Sequence, residues 1–287
     1  MSTSVLFDVP GPKARARHRI YTVIAGLVAA GLLGLVLWKL YQEGEFEAEL
    51  WEDMSQPNIW RAIWSGLQAT LSVAAVAILL SVAFGAVFAV ARLSDHAFVR
   101  WPAIIIVEFF RAVPLLLLIL FLFIAYTDLL NAYWALTLAL MLYNGSVLAE
   151  VFRAGINAVP RGQSEASYAV GMRKNQVMRF VLLPQAVTIM LPAIISQCVI
   201  VLKDTALGLI IAYRDLVAEA QGIAEFVNHS IVPLCTVALI FIIINYSLSR
   251  LAVYVERRFA QRGHSSAKKI DALHDPNLNP GGGGAGA

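Results

Sequence analysis

Residues 150–186 read EVFRAGINAVPRGQSEASYAVGMRKNQVMRFVLLPQA, a polar connection between two long apolar blocks. Pro160 ends one helix, because it lacks the amide hydrogen that continues the ladder, and Ser164-Glu165-Ala166-Ser167 can open the next. Gly171 and Pro184 follow as further breaks. The stretch therefore predicts helix, break, short amphipathic helix, break. A small helix lying at a membrane face between two hinges fits this pattern, either as an ordinary interfacial loop or as a device that passes a push from a soluble partner into the flanking spans.

Outward from this connection the chain is dominated by apolar blocks. Six stretches reach the roughly 20 residues that a helix needs to cross the hydrocarbon core: Ile20 to Leu40, Ile59 to Leu93, Val99 to Tyr126, Leu130 to Val151, Phe180 to Leu202 and Ile231 to Tyr254. With 59% hydrophobic and 14% charged residues and a mean hydropathy of +0.70, the composition excludes an ordinary soluble globule. The fold class expected is an all-α, polytopic membrane bundle of six transmembrane helices without a separate catalytic domain.

The net charge of +3 reflects topology rather than nucleic-acid binding, since the basic residues sit at block ends. Lys13 to Arg19, Arg92 and Arg100, Arg161 to Arg179 and Arg257 to Lys269 mark the cytoplasmic side, so both termini are expected there. The connection from Gln42 to Asn58 carries Glu43, Glu45, Glu47, Glu49, Glu52 and Asp53 without Lys or Arg and is expected outside. The organisation is then a basic N-terminus (1–19), a first helix (20–41), an acidic outer loop (42–58), a core (59–258) with its cytoplasmic loop at 153–179, and a tail (259–287) expected to be disordered. The first block is long and no small-x-small cleavage pattern follows it, so it reads as a retained helix rather than a leader.

Charges within apolar blocks are candidate functional groups. Glu108 and Arg111 share one helical face, roughly 14–18 Å along a span that starts at Val99, and should pair or line a polar cavity, with Pro114 kinking the helix just beyond. Lys203, Asp204 and Thr205 close the fifth span near the outer face, where they are either snorkelling charges or the grip on a zwitterion. Asn144 can bond a substrate or a neighbouring helix. The segment Asp215 to Phe226 is amphipathic and suits a helix at the outer face. Glu219, Glu225 and His229 match no compact metal site, and Cys198 and Cys235 read as small apolar residues. GxxxxGK[ST], HExxH and GxSxG do not occur, so no ATP binding or hydrolytic chemistry is expected of this chain. An ion-driven transporter with Glu108 as proton carrier is one competing reading, beside an intramembrane enzyme and a structural or signalling membrane subunit.

EASYAVG at 165–171, with Leu183-Pro184 beyond it, resembles the EAA loop of bacterial ABC importer permeases. EFFRAVPLLLL at 108–118, YNGSVLAEVFRAGI at 143–156 and LKDTALG at 202–208 resemble the polar amino acid uptake branch, the histidine/glutamate permeases, and most of all its glutamate permeases. The resemblance implies a type I ABC importer permease-like core of five helices plus one extra N-terminal helix in the cell membrane. It also implies that Pro160, Arg161, Glu165, Ala166 and Gly171 belong to a coupling helix that docks on an ATPase subunit dimer. Lys203, Asp204, Thr205, Arg111, Glu108 and Asn144 would line the alternating-access path of a polar amino acid, glutamate in the first place, with glutamine, aspartate, arginine and histidine as the alternatives. The implied partners are a second permease subunit and an extracytoplasmic binding protein, with no cofactor on this chain and ATP and Mg on the ATPase. The chain departs from the family pattern at Ser167, where a second alanine is usual, and at Ala112, Val113 and Leu118, where Gly-Thr and a Gln are usual.

Overall fold

The computed structural model describes residues 11–273, and among these no strand occurs. The chain divides into two compact units, one up to Gln56 and one from Pro57 onward.

The first unit holds α1 (Pro12–Gln42) and α2 (Ala48–Asp53). Proline suits a helix start, where its missing amide would be unpaired anyway, and the Lys and Arg residues that follow are good helix formers. Part of the basic segment expected to precede the span is therefore helical itself, from Pro12; residues 1–10 lie outside the described residues. Lys39 pairs with Glu43 at 3.7 Å where α1 ends, and Gly44 turns the chain at φ +76°. α2 gives part of the acidic loop a helical turn.

The second unit is a bundle of α3 (Pro57–Arg92), α4 (Ala97–Ala112), α5 (Leu115–Ala125), α6 (Ala132–Asn157), α7 (Arg161–Ala169), α8 (Lys174–Gln176), α9 (Leu183–Asp204), α10 (Leu216–Val227) and α11 (Ile231–Leu273). Five of the described helical stretches are long and apolar enough to cross a membrane, and the α4–α5 pair makes up to six.

Packing centres on α3 and α6. α3 buries Gly66, Thr70, Ala74, Ala77, Ser81, Gly85 and Ala89, a stripe of small residues at three- and four-residue spacing that lets a neighbouring backbone approach. A Cβ on Gly85 would lie 2.9 Å from Leu148 Cβ, and one on Gly145 would lie 2.8 Å from the Phe84 ring, so this face has no room for side chains. Two apolar clusters flank the middle of α6. One, around Leu118, Ile119, Leu136 and Leu140, lies toward the end of the bundle that carries α10, and the other, around Phe152, Ile156 and Met190, toward the end that carries α7.

Three expectations need correction. The span from Val99 to Tyr126 is not a kinked helix: α4 and α5 meet at 100° across Val113-Pro114. The residue before a proline is pushed out of the helical region, and Val113 sits at φ −76°, ψ 126°. Neither piece alone reaches the ~30 Å of a hydrocarbon core at about 1.5 Å per residue. Pro184 does not break its helix either. The chain widens into a π-helical turn at Val177–Leu182, where Leu183 donates to Met178, and the proline is absorbed in the first turn of α9. Finally, the tail expected to be disordered from 259 is helical to Leu273, through a stretch containing the helix formers Arg257, Arg258, Ala260 and Gln261. The rest of that tail, 274–287, lies outside the described residues.

Candidate functional site

α7 starts at Arg161 rather than Ser164. Pro160 takes the N-cap position with ψ 132°, its carbonyl accepts from Gln163 N at 3.0 Å, and the Ser164 hydroxyl turns back onto the Arg161 carbonyl at 2.7 Å. The helix ends in a Schellman motif: Gly171 N donates to Tyr168 O at 2.9 Å and Met172 N to Ser167 O at 3.1 Å, with Gly171 at φ +81°. Ser167 is buried with its hydroxyl on the Gln163 carbonyl, which accommodates its departure from alanine. Pro160, Arg161, Glu165, Ala166, Tyr168 and Val170 are exposed. α7 packs on the π-helical turn that leads into α9.

Beside α7, Lys174 bonds Asp95 in the α3–α4 connection, and its ammonium holds the Asp95 carboxyl below the usual carboxylate range.

Glu108 and Arg111 do pair, at 3.4 Å, but not as an isolated couple midway along a span. Arg92 at the end of α3 reaches Glu108 at 3.2 Å and Glu150 on α6 at 3.2 Å, and Glu150 also holds Arg153. Because α4 does not continue in line with α5, residues that a straight span would place at depth lie level with the last turns of α3 and α6. Arg92, Glu150 and Arg153 are functional candidates that sequence reasoning missed. The signal was present as the same E-x-x-R spacing in Glu108–Arg111 and Glu150–Arg153.

A second polar group lies in the middle of the bundle. Asn144 is fully buried; its amide donates to the Leu140 carbonyl at 3.1 Å and its oxygen accepts from Gln197 of α9 at 2.5 Å. Asp204, half-buried at the end of α9, lies beside Asn144. Thr205 is buried, its hydroxyl on the Leu202 carbonyl, and opens a 3-10 helix, Thr205–Ile211. Lys203 is exposed and has no ion-pair partner among the described residues. The structure thus brings Asn144 and Asp204 together and adds Gln197, a residue whose amide in an apolar block was the available signal. It keeps Glu108 and Arg111 apart from them: Glu150 follows Asn144 by six residues on α6, about 9 Å of helix.

At the opposite end from α7 the expected amphipathic helix is present as α10, and Asp215 caps it, its carboxylate accepting from Val217 N at 3.1 Å and Ala218 N at 2.8 Å. Burial pushes the Asp215 carboxyl up. Leu216 N on Thr70 at 3.0 Å and Tyr213 on the Ala69 carbonyl at 3.2 Å fasten this end to α3. Glu219 pairs with Arg214 at 2.9 Å.

The profile of the family described as "Binding-protein-dependent transport system inner membrane component" matches residues 77–261. The chain is similar to the glutamate transport system permease protein GluD of Corynebacterium glutamicum, 39% identical over 222 residues, 75% of this chain and 81% of that protein. It is also similar to the glutamate/aspartate import permease protein GltK of Escherichia coli, 30% identical over 206 residues, 68% of this chain and 92% of that protein. Among solved structures it matches a chain of an amino acid ABC transporter crystallised with histidines, at a TM-score of 0.67 and 29% identity over 71% of this chain and 97% of that one.

Proposed function

We propose, from the premise that this chain belongs to the binding-protein-dependent transport system inner membrane component family, that it is the membrane-spanning permease of an ATP-driven importer whose substrate is glutamate. The chain is a transport component rather than an enzyme. The observation that carries the reading is α7: a short, exposed helix fixed by Pro160 at one end and a Schellman glycine at the other, packed against the turn that leads into α9. A soluble partner that grips α7 can move α9, and α9 carries Gln197, Lys203 and Asp204.

In this account the α7 end faces the cytoplasm, as the basic segments favour, with both termini on that side and the acidic loop at 42–58 outside. An ATPase dimer binds ATP and Mg and docks on the surface formed by Pro160, Arg161, Glu165 and Ala166, whose geometry Gly171 sets. A second permease subunit, a copy or a relative, completes the path, and an extracytoplasmic binding protein delivers the amino acid. Asp204 takes the ammonium and Lys203 the carboxylate of the zwitterion, with Asn144 and Thr205 shaping the site. Such groups are needed because bare lipid charges a polar solute several kcal/mol. Glu108 and Arg111 line the path farther toward α7. Closing and opening of the ATPase dimer alternates access between the two sides.

The test is uptake of labelled glutamate in cells with and without the gene, challenged with unlabelled aspartate, glutamine, arginine and histidine. Loss of an ATP-dependent glutamate uptake that only acidic amino acids inhibit supports the reading. Unchanged uptake in cells with no second glutamate system rules out the substrate.

A further inference from the structure

Arg92, Arg111 and Arg153 meet Glu108 and Glu150, so three cations face two anions where α3, α4 and α6 come together. The Arg92 side chain is only 8% exposed. Its Nε has no acceptor among the described residues, and its Nη1, although 3.2 Å from Glu150 Oε2, is out of hydrogen-bonding alignment. Arg111 and Arg153 retain 38% and 36% exposure, so the cluster is open on their side. Guanidinium groups present donors in a planar fork, and the matching partner is a carboxylate. One carboxylate bound on the open side, at Arg111 and Arg153, would bring the five charges to neutrality.

We propose that Arg92, Arg111 and Arg153 form a second anion site, which takes the side-chain carboxylate of an acidic amino acid after it leaves Asn144 and Asp204 and before it is released at the α7 end. The site lies about 9 Å of helix farther along α6 than Asn144. An amide side chain, being uncharged, gains little there, so the site favours acidic substrates over their amides. The inference rests on the reading of the chain as an importer of an acidic amino acid, and it adds a stop that Lys203 and Asp204 do not provide.

The test uses the complete importer in lipid nanodiscs, with Lys203→Met in this chain to silence the first site. Its thermal midpoint is titrated with sodium L-glutamate, L-glutamine and inorganic phosphate at fixed ionic strength. The expected result is a rise with glutamate and none with glutamine. Arg153→Gln, which makes the cluster neutral, should abolish the rise, and Arg153→Lys should keep it. Glu108→Gln, which leaves two charges in excess, should lower the half-saturating glutamate concentration several-fold. Purely structural ion pairs predict that both neutralising variants lose stability alike without changing the response to glutamate; that outcome, or an equal rise with phosphate, overturns the proposal. If vesicles holding the unaltered importer accumulate glutamate and the rise is absent, the second site falls and the proposed function stands. If they accumulate none, both fall.

Discussion

Gln197 of α9 donates its side-chain amide to the oxygen of Asn144 of α6 at 2.5 Å, and both residues are buried. This bond ties the helix that carries Asp204 to the central helix of the bundle. Gln197→Leu leaves the Asn144 oxygen unpaired and should destabilise the protein by about 1–2 kcal/mol. Pairing it with Asn144→Leu should restore stability, because both polar partners are then gone, while leaving uptake low. Thermal unfolding of the purified complex and initial uptake rates distinguish the two effects; recovery of transport in the double variant would mean that Asn144 is only a packing residue.

Gly171 sits at φ +81°, where a side chain is strained. Gly171→Ala should cost about 1–2 kcal/mol locally and loosen the stop of α7. The protein should still reach the membrane, with copurification of the ATPase and uptake reduced several-fold. Glu165→Ala, on the exposed face, should lower uptake without changing the thermal midpoint.

Asp95 is held below its usual pKa by Lys174, so the tie is present above the unfolded carboxylate pKa and lost as pH falls through the lower folded value. Amide exchange in the α3–α4 connection, corrected for intrinsic rates, should be faster in Asp95→Asn than in the parent protein at pH 6. The difference should shrink as pH falls below the usual carboxylate range and the Asp95 carboxyl takes up its proton. A difference that persists in acid would assign the order of this connection to something other than the pair.

Asp215 gives one carboxylate oxygen to two amides of α10 and buries the other without a partner among the described residues. Its raised folded pKa means that ionisation opposes folding, so its contribution is least favourable above that pKa and improves as pH falls through it toward the ordinary carboxylate value. Asp215→Asn keeps the cap and removes the buried charge, and should be neutral or stabilising at pH 7. Asp215→Ala removes the cap and should lose about 1–2 kcal/mol. Thermal midpoints of the two variants between pH 5 and pH 8 check the order.

What the sequence made legible was what repeats locally. Long apolar blocks gave the spans, and the amphipathic pattern from Asp215 to Phe226 gave α10, though not the cap that Asp215 makes. Helix initiation at Arg161 instead of Ser164 was harder, because a proline supplies the start in place of a serine. The right angle at Val113-Pro114 could not be told from a kink, since a proline permits both and packing of α4 and α5 against α6 decides. That angle also misplaced Glu108: depth counted along a straight span puts it far from Arg92, whereas the fold sets their side chains 3.2 Å apart. Gln197 went unnoticed because one amide in an apolar block says nothing about its partner, and Asn144 lies 53 residues away in sequence.

On the proposed function, this chain moves glutamate with energy delivered through α7. The most direct measurement is glutamate accumulation in proteoliposomes holding this chain with its ATPase, second permease and binding-protein partners, with ATP and Mg supplied on the α7 side. The expected result is concentrative uptake that needs ATP, is abolished by Lys203→Met with assembly intact, and is indifferent to an imposed proton gradient. Uptake driven by a proton gradient without ATP, or full activity of Lys203→Met, would contradict it.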